Sequence, residues 1–385
     1  MTFKNSLVTP TQLQPVSLSK DDFTIGVEEE YQIIHPETRE LRSRGRSVLS
    51  KAQATVGDQV TQELYLSQIE IGTSVCHSLA DVRGELQRLR SGIITAAKKV
   101  DCRIAAAGTH PFSNWEGQKL TPKERYQDLA ADYKQLVWEQ LIFGCHVHVG
   151  IPDREIAIQV MNRSRPWLAS ILALASNSPF WIGHDTGYSS YRTEIWGRWP
   201  TSGIPHVFAS RSEYDKLVED LIATGSISEA SKIYWDMRPS SHYETLEYRV
   251  TDVCLTIDEA VMIAGLLRAL ARTCAQEAER YTEITHARPE VLQAAKWQAA
   301  RYGLDAKLID TQKGRPVAAR TLIKALLEYV RPALEEFGDW KEINTRVRDV
   351  LTGGTGASRQ REIFRKKGSL EDVVDFTTDE MARGI

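Results

Sequence analysis

Residues 23–34, FTIGVEEEYQII, constrain this chain more than any other stretch. Their alternation is that of a β-strand. Phe23, Ile25, Val27, Tyr31 and Ile33 fall on one face, and Thr24, Gly26, Glu28, Glu30 and Gln32 on the other. A half-buried strand ordinarily shows Lys, Thr or Ser on its wet face, whereas this one shows two carboxylates at i and i+2. Their Cα atoms are then about 6.6 Å apart. With metal–oxygen bonds of about 2.1 Å, both side chains can lean onto two cations about 4 Å apart. Glu29 sits on the apolar parity, so it needs its own partner, such as an arginine or a helix N-terminus, or a bulge that turns it.

Three further stretches repeat this split between an apolar face and a face that carries chemistry. In residues 64–74, LYLSQIEIGTS, Glu70 shares parity with Gln68 and Leu66, against Ile69 and Ile71. In FGCHVHVGIP, His146 and His148 share a face with Gly144 and Gly150, against Cys145, Val147 and Val149. Two histidines so placed suit a metal or phosphate site, and equally a pair of hydrogen-bonded strand histidines. In residues 233–252, Arg238 ends a short strand. In the strand after it, Thr245, Glu247, Arg249 and Thr251 lie opposite Leu246, Tyr248 and Val250.

Between these strands run amphipathic helical patterns. Val82, Leu86, Leu89, Ile93 and Ala97 form one stripe. A joint at Pro166 divides another helical stretch, and a long helix begins with Asp258 as the expected N-cap. Residues 176–205 are rich in Gly, Ser and Pro without a clear period. Aromatic rings at positions 188, 191, 196 and 199 argue against disorder, so the expectation is a substrate-covering loop with Arg192 as an anion contact. Arg39, Arg42, Arg44 and Arg46 read as a solvated loop or as a phosphate or carboxylate contact, and His110 as structural or functional. GGTG at 353–356 lacks the lysine of a phosphate loop and reads as a helix stop.

With 385 residues the chain can bury a large core. Residues 1–22 are polar, aperiodic and contain two prolines, the pattern of a loose extension, and residues 23–385 are expected to form one domain. A net charge of −3 without a basic block points away from nucleic acid as main partner. The five cysteines form no CxxC pair, which suits free thiols in a reducing cytoplasm. No apolar run is long enough to cross a membrane, and no signal pattern opens the chain.

If the four strands lie side by side, the fold is α+β: a curved antiparallel sheet with helices on its apolar face and an acidic open face. Glu28, Glu30, Glu70 and Glu247 share that face with His146, His148 and Arg249. Two carboxylates ~7 Å apart repel by roughly 2.4 kcal/mol at an effective dielectric near 20. The cluster therefore asks for divalent cations, and hard oxygen ligation favours Mg2+ or Mn2+.

GVEEEY, QIEIGT, GCHVHVG and MRPSSHYETLEYRVTD, in this order and spacing, resemble the glutamate–cysteine ligase family, in particular its bacterial type 2 carboxylate–amine ligases. The resemblance runs from about Phe23 to GTGASRQ. It implies a glutamine-synthetase-like fold that binds ATP with two or three magnesium ions. It also implies a reaction in which ATP phosphorylates the side-chain carboxylate of glutamate and the amine of cysteine displaces phosphate. Carried over by position, Glu28, Glu30, Glu70 and Glu247 match metal ligands, His146 or His148 a metal or phosphate contact, and Arg249 a phosphate contact; the expected site places His148 with the metal ligands, and His146, His148, Arg238 and Arg249 with the nucleotide. Arg249, Glu247 and Arg192 are the residues expected to act on the reacting groups, and a homodimer is the expected assembly. The competing readings are a ligase of the same fold with another acid or amine, a phosphoryl transferase, and a non-catalytic metal–nucleotide binding protein.

Overall fold

The computed structural model describes residues 18–284 and 287–385. Eleven strands are present among the described residues: β1 Ile25–Ile34, β2 Val60–Thr61, β3 Gln68–Gly72, β4 Arg103–Ala105, β5 Gly144–Gly150, β6 Phe180–Trp181, β7 His184–Asp185, β8 Met237–Pro239, β9 Thr245–Asp252, β10 Lys307–Asp310 and β11 Arg315–Ala318. Seven of them form one antiparallel sheet in the order β2-β3-β1-β5-β9-β8, with β4 pairing to β1 beside this row. The two remaining pairs, β6–β7 and β10–β11, are separate hairpins. The expected α+β architecture is what the chain adopts, and the four chemistry-bearing strands are neighbours.

Strand alternation sets the two faces. Ile25, Val27, Tyr31 and Ile33 of β1, Ile69 and Ile71 of β3, Val147 and Val149 of β5, and Leu246, Tyr248 and Val250 of β9 are all buried. Helices Leu79–Lys98, Arg154–Ser164, Leu168–Ala175 and Ile257–Glu279 pack on that side. Fully burying one such aliphatic side chain contributes roughly 1.5–3 kcal/mol, so a one-residue slip of any of these strands is excluded. The N-cap of Ile257–Glu279 is Thr256, not Asp258: its hydroxyl accepts from the Glu259 N–H and the Glu259 carboxylate bonds back to the Thr256 N–H, closing a capping box. Asp258 stands in the first turn and pairs with Arg83 and Arg346. GGTG is a helix stop, as read: Gly354, at φ +85°, ends one helix and Thr355 caps the next.

The partner that Glu29 required is Arg90, on helix Leu79–Lys98. Arg90 Nη2 lies 2.6 Å from Glu29 Oε1 and Nε 3.0 Å from Oε2, and both side chains are fully buried. The Tyr31 hydroxyl donates to the same carboxylate. Arg90 also donates to the carbonyls of Cys254 (3.1 Å) and Leu255 (3.3 Å), which ties β1 to the exit of β9.

Of the loose extension expected over residues 1–22, residues 1–17 lie outside the described residues, and Lys20–Asp22 form a short helical turn. Leu18 is buried, its N–H donating to Glu279 and its carbonyl accepting from Arg272. The five cysteines are buried and free. No helix among the described residues is long and apolar enough to cross a membrane.

Two predictions come from these buried polar groups. Glu29→Gln or Arg90→Met leaves an uncompensated buried partner and is expected to cost about 3–5 kcal/mol in urea unfolding, while the double variant Glu29→Met/Arg90→Met recovers most of it. Single variants as stable as the parent would show that the pair holds nothing together. His110 is buried, its Nε2 2.9 Å from the Arg39 carbonyl while Nδ1 accepts from the N–H groups of Phe112 and Ser113, so the neutral ring is the one that fits. Burial holds its pKa down to about 4. A depressed histidine means the unfolded chain takes up the proton first, so this contribution is full above about pH 6.5 and is lost as pH falls toward 4. His110→Asn is expected to flatten the stability profile over that window by about 3 kcal/mol relative to the parent, and identical acid slopes would contradict the assignment.

Candidate active site

The site is built by cross-strand register. Glu30 faces Glu70, Glu28 lies between Gly72 and His146, and Gly26, His148 and Glu247 form a row that continues to Arg238. A register shift between β5 and β9 sets two residues, Arg249 and Val250, against His146 alone. All the residues singled out on the four strands therefore line one cleft.

Two clusters have ligand atoms all within 4.8 Å of one another: Glu30, Glu63 and Glu70, and Glu28, His148 and Glu247. Glu63 was not found by the strand pattern, because it stands in the loop between β2 and β3, where no periodicity marks it. Its carboxylate accepts from the Leu64 N–H (2.8 Å) and the Tyr126 hydroxyl (3.3 Å). Burial and the nearby Glu63 carboxylate push the Glu30 pKa up to about 7. Burial, Glu63, Glu28 and Glu30 raise Glu70 well above the carboxylate range. Three half-buried carboxylates that cannot all ionise alone are a donor set for a hard divalent cation, so the residues present fit Mg2+ or Mn2+.

The second cluster has its own positive charge. Burial works against ionisation of Glu28, but hydrogen bonds to His146 and His148 outweigh it and hold its pKa low. Glu247 lies between Arg249 and Arg238, the latter 2.8 Å away, and its pKa falls although burial opposes this. Arg238 also donates to the carbonyls of Ser231 and Ile233, so it braces Glu247 from the side. His148 Nδ1 is 2.9 Å from Thr245 Oγ1, which leaves Nε2 toward Glu28 at 3.4 Å.

Residues 176–205 carry short regular elements within an otherwise irregular course. They include the β6–β7 hairpin and the helix Tyr191–Trp196, and Arg192, Trp196 and Trp199 line the cleft. Their order comes from Asp252, fully buried, whose carboxylate accepts from the Asn177 N–H and the Ser178 and Ser190 hydroxyls, each at 2.7 Å. The Ser178 hydroxyl in turn accepts from the Arg192 N–H at 3.1 Å. Arg192 is 2% exposed and enters a gap that exists because position 144 is glycine: a Cβ there would collide with its guanidinium. Its Nη2 reaches only the Arg249 carbonyl, at 3.4 Å, its Nε has no partner, and no carboxylate among the described residues lies within ion-pair distance. Trp196 lies between Arg192 and Arg249, its ring centre 5.8 and 5.2 Å from their guanidinium carbons.

The cleft has two halves that share Glu28, Glu70, His148 and Tyr243. The smaller, about 270 Å3, holds Arg192, Arg249, Arg238, Arg125 and the aromatic rings of Trp196, Trp199 and Tyr234. The larger, about 740 Å3, runs over Gly26, Gly72 and Thr73. The remaining candidates lie elsewhere: Arg39 pairs with Asp375, Arg42 with Asp101, and His110 is structural.

The glutamate–cysteine ligase of Francisella tularensis in complex with AMP shares this fold at a TM-score of 0.69 and 15% identity, over 93% of this chain and 88% of that one. A bifunctional glutathione synthetase from Pasteurella multocida gives a TM-score of 0.68 at 14% identity, over 94% of this chain and 52% of that one. Sequence relatives carry the likeness further. A protein from Solibacter usitatus (strain Ellin6076) is 39% identical over 371 residues, 96% of either chain. One from Roseiflexus sp. (strain RS-1) is 41% identical over 363 residues, 94% of this chain and 96% of the relative. Both bear the provisional name glutamate–cysteine ligase 2. Fold, cleft and relatives together define a carboxylate–amine ligase, an ATP-dependent enzyme that forms an amide bond. The chain belongs to glutamate–cysteine ligase family 2, whose model matches residues 24–376.

Glu63 yields the test of the first cluster. Glu63→Gln removes one charge of three while keeping its hydrogen-bonding shape, so Mn2+ affinity by calorimetry is expected to fall at least about 10-fold, the lower end of what losing even a supporting group costs. Unchanged affinity would take Glu63 out of the cluster.

Proposed function

We propose that residues 23–385 act as one catalytic domain that forms γ-glutamylcysteine from glutamate, cysteine and ATP, releasing ADP and phosphate. The observation that carries this reading is Arg192, a buried guanidinium with no carboxylate partner, facing a cavity of amino-acid size. Burying an unpaired charge costs several kcal/mol, and an anionic substrate entering the smaller cavity offsets that cost. The larger cavity suits the nucleotide, and the transferring phosphoryl group then passes over Glu28, Glu70 and His148, which line both halves.

In this reading Glu30, Glu63 and Glu70 hold one divalent ion, and Glu28, His148 and Glu247 another. Bound Mg2+ or Mn2+ supplies charge neutralisation along the phosphates. The chain's own residues do the positioning. Arg249, with Nε unpartnered beside Glu247, meets charge that develops on the transferring phosphoryl group. The oxygen of the acid's side-chain carboxylate attacks the γ-phosphorus, ADP leaves, and the resulting acyl phosphate is taken by the amine, whose attack expels phosphate. Trp196, Trp199 and Tyr234 limit water around that mixed anhydride. Arg238 braces Glu247, and His146 supports Glu28 from 3.5 Å. A cytoplasmic homodimer completes the reading.

Phosphate release from ATP, screened with glutamate plus each candidate amine, tests the proposal. Release with glutamate and cysteine, and hydroxamate when hydroxylamine replaces the amine, is expected. Release with another amine alone would keep the ligase and replace cysteine, and hydroxamate-free turnover would favour a phosphoryl transferase. Arg249→Lys keeps the charge but loses the planar fork. Its kcat is expected to fall about 100-fold or more, in line with about 2.7–4 kcal/mol for one lost transition-state donor, with melting temperature little changed. Turnover within a few-fold of the parent would make Arg249 a partner of Glu247 only.

A further inference from the structure

Four glycines lie on the cleft face of the sheet: Gly26 in β1, Gly72 in β3, and Gly144 and Gly150 in β5. Packing explains two of them. A Cβ on Gly144 would strike Arg192, and one on Gly150 would strike the Asp22 carbonyl and Thr24. Neither reason extends to the others. A Cβ on Gly72 would meet no atom within 4 Å, and one on Gly26 would meet only the Cβ of His148, at an ordinary 3.5 Å. Neither residue has positive φ. Glycine inside a strand loses more entropy on folding than any other residue and offers nothing to pack. The fold therefore gains nothing from glycine at positions 26 and 72.

What these two residues leave open is the floor of the larger cavity, which both line. They are close neighbours, since Gly72 pairs with Glu28, two residues along β1 from Gly26. In a strand the peptide N–H and C=O groups point sideways into the ladder. A bare strand surface thus shows flat peptide faces and Cα hydrogens, with no charge and no free donors. Asp21, Asp22 and Asp58 at the rim oppose a phosphate there. Tyr243, 66% exposed, lines the same cavity with its ring edge-on to His148 at 6.1 Å. His148, 8% exposed, also opens on it, with its Nε2 3.4 Å from Glu28 Oε1.

We propose that Gly26 and Gly72 form a bare peptide platform on which the planar base of the nucleotide lies, with Tyr243 as the facing wall. This rests on the reading of the larger cavity as the nucleotide half. The base meets the flat apolar floor, and the phosphates run toward Glu28, Glu70 and His148. A side chain at position 72 would occupy the volume of the base while suiting the strand itself.

The test sets stability against affinity. Gly72→Val and Gly72→Ala are expected to melt at or above the parent's temperature. Each is expected to weaken binding of Mg2+ with a non-hydrolysable ATP analogue at least about 10-fold by calorimetry, or 1.4 kcal/mol. Binding of Mg2+ with tripolyphosphate, which has no base, should stay within about 2-fold of the parent. Tyr243→Ala should weaken the analogue and Tyr243→Phe should not. Equal loss for analogue and tripolyphosphate would place the phosphates, not the base, on the platform and overturn the proposal. Parent-like binding of the analogue in the stable Gly72 variants would overturn it as well. Failure of the parent itself to bind the analogue would instead remove the nucleotide reading. A Gly72→Ala protein that melts well below the parent would show that glycine is a packing requirement after all, and would also overturn the proposal.

Discussion

The Glu29–Arg90 pair is the constraint on which the sheet's two-sidedness turns. Three glutamates in sequence cannot share one face of a strand, and the middle one is driven into the core by the same alternation that presents Glu28 and Glu30. A lone buried carboxylate would protonate or pull the strand out of register. Arg90 removes that penalty from helix Leu79–Lys98 with two parallel bonds, and its remaining donors hold the Cys254 and Leu255 carbonyls. One guanidinium thus fastens the strand of Glu28 and Glu30 to the exit of the strand that carries Glu247 and Arg249.

On the cleft side the electrostatics run in opposite directions within a few ångströms. Glu247, between two arginines, stays ionised, whereas Glu30 and Glu70 are pushed toward neutrality by burial and by the nearby Glu63 carboxylate. One cluster has arginines bonded to it, whereas in the other Arg192 and Arg249 act on Glu30 only through space and do not offset burial. Beside them Arg192 is a cation in need of an anion. The cleft is therefore not simply acidic. It alternates in sign from the carboxylate row to the arginine wall, which suits a substrate bearing both cations and anions.

Much of this was legible because strands write their faces into sequence with a period of two. Glu28, Glu30, Glu70, His146, His148, Glu247 and Arg249 could be placed on one side by parity alone, and Glu29 could be assigned a missing partner. Glu63 escaped because it lies in a loop, where no period distinguishes a ligand from a solvated residue. The source of order in residues 176–205 was hidden for a related reason. Their order comes from Asp252, some sixty residues further on, through bonds to Ser178 and Ser190, and serine-rich composition looks the same whether its hydroxyls meet water or a buried carboxylate. The cap of Ile257–Glu279 fell two residues early because Thr256 and Asp258 are both good caps and only the reciprocal bond to Glu259 separates them.

Of the six residues in the two ligand clusters, five are borne by regular strands, and Glu63 comes from the loop between β2 and β3. The spacing between these groups is thus a property of ladder registration. A chain that regained its helices and compactness after denaturation, yet paired β1 and β5 one residue out of step, would turn the acid row inward and have no competent site at all. Recovery of function on refolding therefore counts molecules with the correct strand alignment, a quantity that circular dichroism and light scattering do not see.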